Sequence, residues 1–341
     1  MDAEDRMDPQ VRARLDQYVS IVGPQGLSGI GSITARRRKQ AELAALRPGT
    51  AAHHDMEIRD VSIRSTAPPH AAVPARVYRP AGSTAGAPCI CYVHGGGMVT
   101  GSVDGDDAKA AELARATGCV VVSVAYRLAP ENPYPAAVDD CFAALSWIAE
   151  GRQELGIDPG RIALYGPSAG GCLATATALL ARDRGGPEIA YLTLVSPMLD
   201  DRSSTPSTYV NTGFGAWSRE ANLQAWEAYL GEDFGTDHVS PYAAPARADD
   251  LTRLPPTYVD VGDLDLLRDE ATDFAQRLMR AGVPVELHVY PGGIHGGESL
   301  APRADLTVRV RARRHSALRR ALRVQDRRPL EARNSRADRS R

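Results

Sequence analysis

Apolar residues in this chain fall into short runs that alternate with longer stretches of helical spacing. The strand-like runs are "MEIRDVSI", "ARVYRP", "CICYVH", "CVVVSVAY", "RIALYG", "YLTLVSP", "TYVDVG" and "VELHVY". Most are continuously apolar and rich in β-branched residues, the pattern of strands covered on both faces. Helical spacing recurs over 104–117, 135–150, 168–184, 266–281 and 303–323, between and after the later runs. Strands alternating with helices predict an α/β fold with a mostly parallel central sheet and helices on both faces. The first two runs alternate apolar and polar residues, which predicts antiparallel edge strands.

Two regions break the alternation. Residues 1–50 read as one or two amphipathic helices around "GPQGLSGIGS", and residues 199–250 form a long insertion carrying Tyr209, Phe214, Trp217 and Trp226. Together they predict a helical cap over the end of the sheet, within one domain spanning 1–324. "GLSGIGS" has neither a preceding strand nor complete G-x-G-x-x-G spacing, so it reads as a joint between cap helices.

Composition and charge narrow the picture. At 341 residues and 43% hydrophobic the chain can bury a large core, and its net charge is −2. That balance hides a basic stretch: residues 303–341 hold 14 Arg against 4 acidic residues. Leu306, Val310, Leu318 and Leu322 are placed to face the core, with the arginines in water. Residues 325–341 have almost no apolar groups and read as a disordered basic tail. No nucleic-acid module accompanies the charge, so no nucleic acid is expected as a partner. The opening "MDAEDRMDPQ" is acidic with no apolar segment, and no run approaches a membrane span, so neither a secretory leader nor stable membrane insertion is expected. Five cysteines (Cys89, Cys91, Cys119, Cys141, Cys172) lie mostly in apolar stretches, which predicts free buried thiols and a cytoplasmic location. His53 and His54 lack ligand-spaced companions and read as a surface loop, so no metal is expected. A homodimer is compatible with the sequence.

The chemistry concentrates in four stretches that each follow a strand-like run. "HGGGMVTGS" sets three glycines at 95–97, where backbone amides can be aimed at a ligand. Gly166-Pro167-Ser168-Ala169-Gly170 matches G-x-S-x-G, the nucleophile elbow. "VDVGDLDLLRDEA" supplies carboxylates, and "VYPGGIHGGE" supplies His295. Serine, acid and histidine follow one another in the order that elbow requires, each at the carboxyl end of a strand, where such sheets bind ligands.

With "SVAYRLAPENPYPAAVDDC", "DPGRIALYGPSAGG" and "SPMLDDR", these stretches resemble the hormone-sensitive-lipase-like carboxylesterases of the α/β-hydrolase fold, over roughly residues 55–323. The resemblance implies hydrolysis of carboxylic esters by a serine nucleophile, without metal or cofactor, on a small-molecule ester substrate. It implies Ser168 as nucleophile, His295 as general base and Asp265 as the acid. It also implies an oxyanion hole from the amides of Gly96, Gly97 and Ala169. Asp265 opens the family's D-x-L-x-D-E pattern; Asp263 is the rival acid, and Asp269 falls in the helix behind it. His288 lies inside a strand pattern, and His94 shapes the glycine loop. Two departures stand out. Pro167 replaces the acidic residue usual before the nucleophile, and Gly296-Gly297 follow His295 where an aromatic is common, which predicts a missing pocket wall. The expected function is a serine carboxylesterase for short acyl esters. The alternatives are a binding protein or a lyase on the same fold, and the intact set of three favours the hydrolase.

Overall fold

The computed structural model describes residues 4–45, 54–64, 72–151, 155–210 and 217–324. His53, Phe214 and the tail 325–341 lie outside them. Among the described residues the eight runs form eight strands: β1 Met56–Arg64, β2 Ala72–Pro80, β3 Ala87–Val93, β4 Val120–Val124, β5 Ile157–Pro167, β6 Tyr191–Val195, β7 Thr257–Gly262 and β8 Val285–Tyr290. The helices there are α1 Pro9–Val22, α2 Ile33–Ala45, α3 Asp107–Thr117, α4 Ala136–Glu150, α5 Ala169–Arg184, α6 Pro206–Val210, α7 Arg219–Leu230, α8 Arg268–Arg280, α9 Gly297–Leu300 and α10 Asp305–Ala321. None of them is long and apolar enough to cross a membrane.

The strands make one sheet in the order β1-β2-β4-β3-β5-β6-β7-β8. From β4 to β8 every pairing is parallel, whereas β2 is antiparallel to both β1 and β4. The first two runs are therefore antiparallel as their alternation predicts, but of the two only β1 lies at an edge of the sheet. Every residue of β3, β4, β6 and β7 is buried. This matches their unbroken apolar composition, since helices cover both faces.

Three contacts tie the remaining segments to the carboxyl end of the sheet. Met7, Val11 and Leu15 bury against Leu264, Ile294, Ala301 and Ala304. Leu264 and Ile294 immediately precede Asp265 and His295, so α1 braces the loops that carry them. Arg37 of α2 donates to the carbonyls of Val99 (2.7 Å) and Ala129 (2.7 Å) and pairs with Glu131. In the insertion, Trp226 and Tyr229 of α7 are fully buried in the main core.

The basic C-terminal helix corrects one expectation. Leu306, Val310, Leu318 and Leu322 are buried as predicted, but Arg314 is only 2% exposed. It sits one helical turn from both Val310 and Leu318, so the apolar stripe carries it inward. Asp260 of β7 meets it there.

Candidate active site

The Ser168 position is built by a crossing too tight for side chains. A Cβ on Gly166 would lie 2.0 Å from the Gly170 carbonyl oxygen, so β5 passes into α5 only with glycine there. Between them Ser168 adopts φ 55° and ψ −122°, a conformation that costs about 1–3 kcal/mol for a residue with a side chain. The surrounding backbone holds it. The Ser168 amide donates to Val195 (2.8 Å), and its carbonyl accepts from Gly171 (2.8 Å) and Met198 (3.1 Å). Pro167 pairs with Val195 in register, and the donor on that side comes from Ser168. The proline thus removes no hydrogen bond from this pairing.

Two loops complete a chain of hydrogen bonds. Ser168 Oγ lies 3.1 Å from His295 Nε2, and His295 Nδ1 lies 3.0 and 3.1 Å from the Asp265 oxygens. Asp265 is fully buried and also accepts from the Leu267 amide at 2.9 Å. With Nδ1–H donated to the carboxyl group, Nε2 is left as the acceptor for the serine hydroxyl. The rival carboxylates are engaged elsewhere. Asp263 pairs with Arg6 and accepts from the Gly292 amide at 2.7 Å. Asp269 accepts from the Ser207 amide at 2.7 Å, joining α8 to α6. His288 lies on the edge strand between Tyr258 and Tyr290, 2.9 Å from Glu286.

The glycine loop runs beside the serine: a Cβ on Gly95 would be 3.4 Å from Ser168 Cβ. His94 Nδ1 donates to the Gly95 carbonyl at 2.9 Å. The Gly96 carbonyl accepts from the Thr100 amide and hydroxyl, both at 2.9 Å. In a trans peptide the carbonyl and the following N–H point opposite ways, so these bonds turn the Gly96 and Gly97 amides away from His94 and Thr100. Among the described residues, nothing in the protein accepts from the amides of Gly96, Gly97 or Ala169. His94 is buried, stacks on Tyr126 with ring centroids 4.2 Å apart, and its pKa is pushed down mainly by burial. A neutral ring with Nδ1–H toward Gly95 suits a shaping role.

The insertion contributes Trp217. Its indole N–H donates to Asn222 Oδ1 (2.9 Å), and Asn222 Nδ2 donates to Ser203 Oγ (2.8 Å), with Asn222 and Ser203 both fully buried. The ring stands 6.4 Å from that of His295, and a Cβ on Gly97 would lie 2.8 Å from it. Tyr209, by contrast, is 57% exposed, with the Arg219 guanidinium over its ring.

The sequence profile described as the alpha/beta hydrolase fold matches residues 90–298, a span that holds all three of these side chains. The chain belongs to the α/β-hydrolase family. Its curated relatives include esterase LipI of Mycobacterium tuberculosis, 38% identical over 86% of this chain and 89% of that protein. Carboxylesterase NlhH of the same species is 40% identical over 73% and 79%. A solved bacterial heroin esterase superposes with a TM-score of 0.85 at 37% identity, covering 93% of this chain and 98% of that one. These relatives fall in the hormone-sensitive-lipase-like group that the motifs resemble.

Glu270 and Arg314 are among the buried charged groups of this α/β-hydrolase that escape the sequence reading. Glu270 accepts from the Leu199 amide at 2.6 Å, and burial pushes its carboxyl pKa well up. For Arg314 the only sequence signal is a charge at an apolar-stripe position.

Proposed function

We propose that this α/β-hydrolase is a serine carboxylesterase for short-chain acyl esters, working through an acyl-enzyme. The observation that carries the reading is the Ser168–His295–Asp265 hydrogen-bond chain beside three amides that have no acceptor among the described residues. Ser168 Oγ attacks the ester carbonyl carbon while His295 Nε2 takes the hydroxyl proton. Asp265 holds the imidazole in its tautomer and stabilises the imidazolium. Charge on the former carbonyl oxygen is met by the amides of Gly96, Gly97 and Ala169, the last at the N-terminus of α5. As the tetrahedral centre collapses, His295 returns the proton to the departing alcohol. Water, deprotonated by the same nitrogen, then releases the acid and restores the serine.

Residues 1–50 and 199–250 serve as the cap, within one domain spanning 1–324. The five cysteines are buried and free, which supports a cytoplasmic location.

Turnover of chromogenic acyl esters tests the reading, and Trp217 sets the expected profile. A wall beside the nucleophile rewards each added methylene by up to about 0.8 kcal/mol until the pocket is full, after which longer chains are rejected. Trp217→Ala is expected to move the optimum of kcat/KM to longer acyl chains. Superimposable wild-type and variant profiles would remove Trp217 from the pocket wall. Gly97→Ala is expected to lower kcat by about 100-fold, because a Cβ at φ +63° collides with Trp217 and displaces an oxyanion donor. Steady-state kinetics on one short ester would show this; unchanged kcat would place the donor elsewhere.

A further inference from the structure

Arg314 of α10 touches all three chain segments that deliver the reacting side chains. Its Nε and Nη2 donate to Asp260 Oδ2 at 3.0 and 2.8 Å, and Nη2 also donates to Oδ1 at 3.0 Å. Nη2 and Nη1 donate to Glu298 Oε1 and Oε2 at 2.6 and 3.2 Å. Nη1 further donates to the hydroxyl of Tyr165 at 3.2 Å. Tyr165 lies three residues before Ser168 on β5, Asp260 five before Asp265 on β7, and Glu298 three after His295 on α9. We propose that Arg314 is a positioning residue: one buried guanidinium that fixes the Ser168, Asp265 and His295 segments relative to one another.

Gly296 makes the third connection direct. Its φ of 71° turns the chain from His295 straight into α9, which places Glu298 over the guanidinium. The planar fork of an arginine can bind two carboxylates and a hydroxyl at once, whereas a lysine ammonium is a point charge. Stability alone is a poor account of the arrangement. The α10 stripe already buries Leu306, Val310 and Leu318, and an apolar residue in place of a buried ion pair is often neutral or stabilising. Geometry is the better account, because the Ser168–His295 contact is already 3.1 Å and a further slip of about 1 Å breaks it.

The proposal rests on the serine-esterase reading, and the experiment separates the two. Arg314→Lys is expected to fold and to lose about 10–100-fold in kcat, with KM held within about three-fold, because misplacement affects chemistry rather than substrate contact. The rate at which a small fluorophosphonate labels Ser168 should fall in step with kcat. A second variant, Arg314→Met with Asp260→Asn and Glu298→Gln, removes the buried charges together. It is expected to melt no lower than Arg314→Lys and to remain as slow. A merely structural arginine predicts the reverse, with activity restored alongside melting temperature. A folded variant with wild-type kcat, or a loss confined to KM, would overturn the proposal. If neither variant folds, Glu298→Gln decides: several-fold lower kcat at unchanged KM supports it, and wild-type kcat overturns it. Wild-type protein that the phosphonate never labels would overturn the serine reading and this proposal together; a labelled wild type beside a fast Arg314→Lys overturns only the latter.

Discussion

Ser168→Ala is expected to abolish fluorophosphonate labelling and to lower kcat on the order of 10⁶-fold, the loss that follows when a triad acts as a unit. That factor corresponds to about 8 kcal/mol of barrier. The size follows from what the serine supplies in the proposed mechanism: the bond-forming oxygen, 3.1 Å from His295 Nε2 and held by a backbone that cannot relax without opening the β5–α5 crossing. Alanine fits the same backbone, so the fold should survive and a melting curve should show little change. What remains would be the attack of water assisted by the amides. Mass spectrometry of the labelled peptide and burst kinetics on an activated ester give independent readings. Undiminished hydrolysis by the folded variant would end the assignment of Ser168.

Asp265→Asn is expected to cost on the order of 10⁴ in kcat. An asparagine amide can keep the contact to His295 Nδ1, but its NH₂ group favours the tautomer that leaves Nε2 protonated and unable to accept from Ser168. The control is Asp263→Asn. Its partner Arg6 is 45% exposed, and surface ion pairs contribute about 0–1 kcal/mol, so this variant should stay within a few-fold of wild type. Kinetics of the two variants side by side give the ranking; the reverse order would move the acid to Asp263.

The sheet was legible because most of its strands are apolar on both faces, and their alternation with stretches of period 3.6 leaves little choice of architecture. Ser168, Asp265 and His295 were legible for a related reason: each sits in a glycine-marked or acidic stretch directly after a strand. What pattern could not give was placement across the sheet. The alternating "ARVYRP" reads as an edge, yet its strand pairs on both sides, because register along a strand says nothing of its lateral neighbours. Arg314 defied the rule that arginines stay in water, since its partners Asp260 and Glu298 lie on other elements and periodicity within α10 does not show them. Tyr209 and Trp217 read alike as aromatics of one insertion. Only the packing separates them, with Tyr209 under Arg219 at the surface and Trp217 fixed through Asn222 beside His295.

The packing of α1 has a consequence for how the protein comes into being. Leu264 and Ile294 rest on Met7, Val11 and Leu15, residues translated long before the loops they brace. A ribosome makes the brace well before its two clients, so α1 must wait while the intervening sheet is assembled. The contacts are among the longest in sequence separation that the fold makes, and they form only after intervening strands have closed their loops. A nascent chain can therefore carry the completed turn at Ser168 while His295 and Asp265 are still unanchored. The meeting of His295 with Asp265 is thus settled late in synthesis, well after α1 has been made.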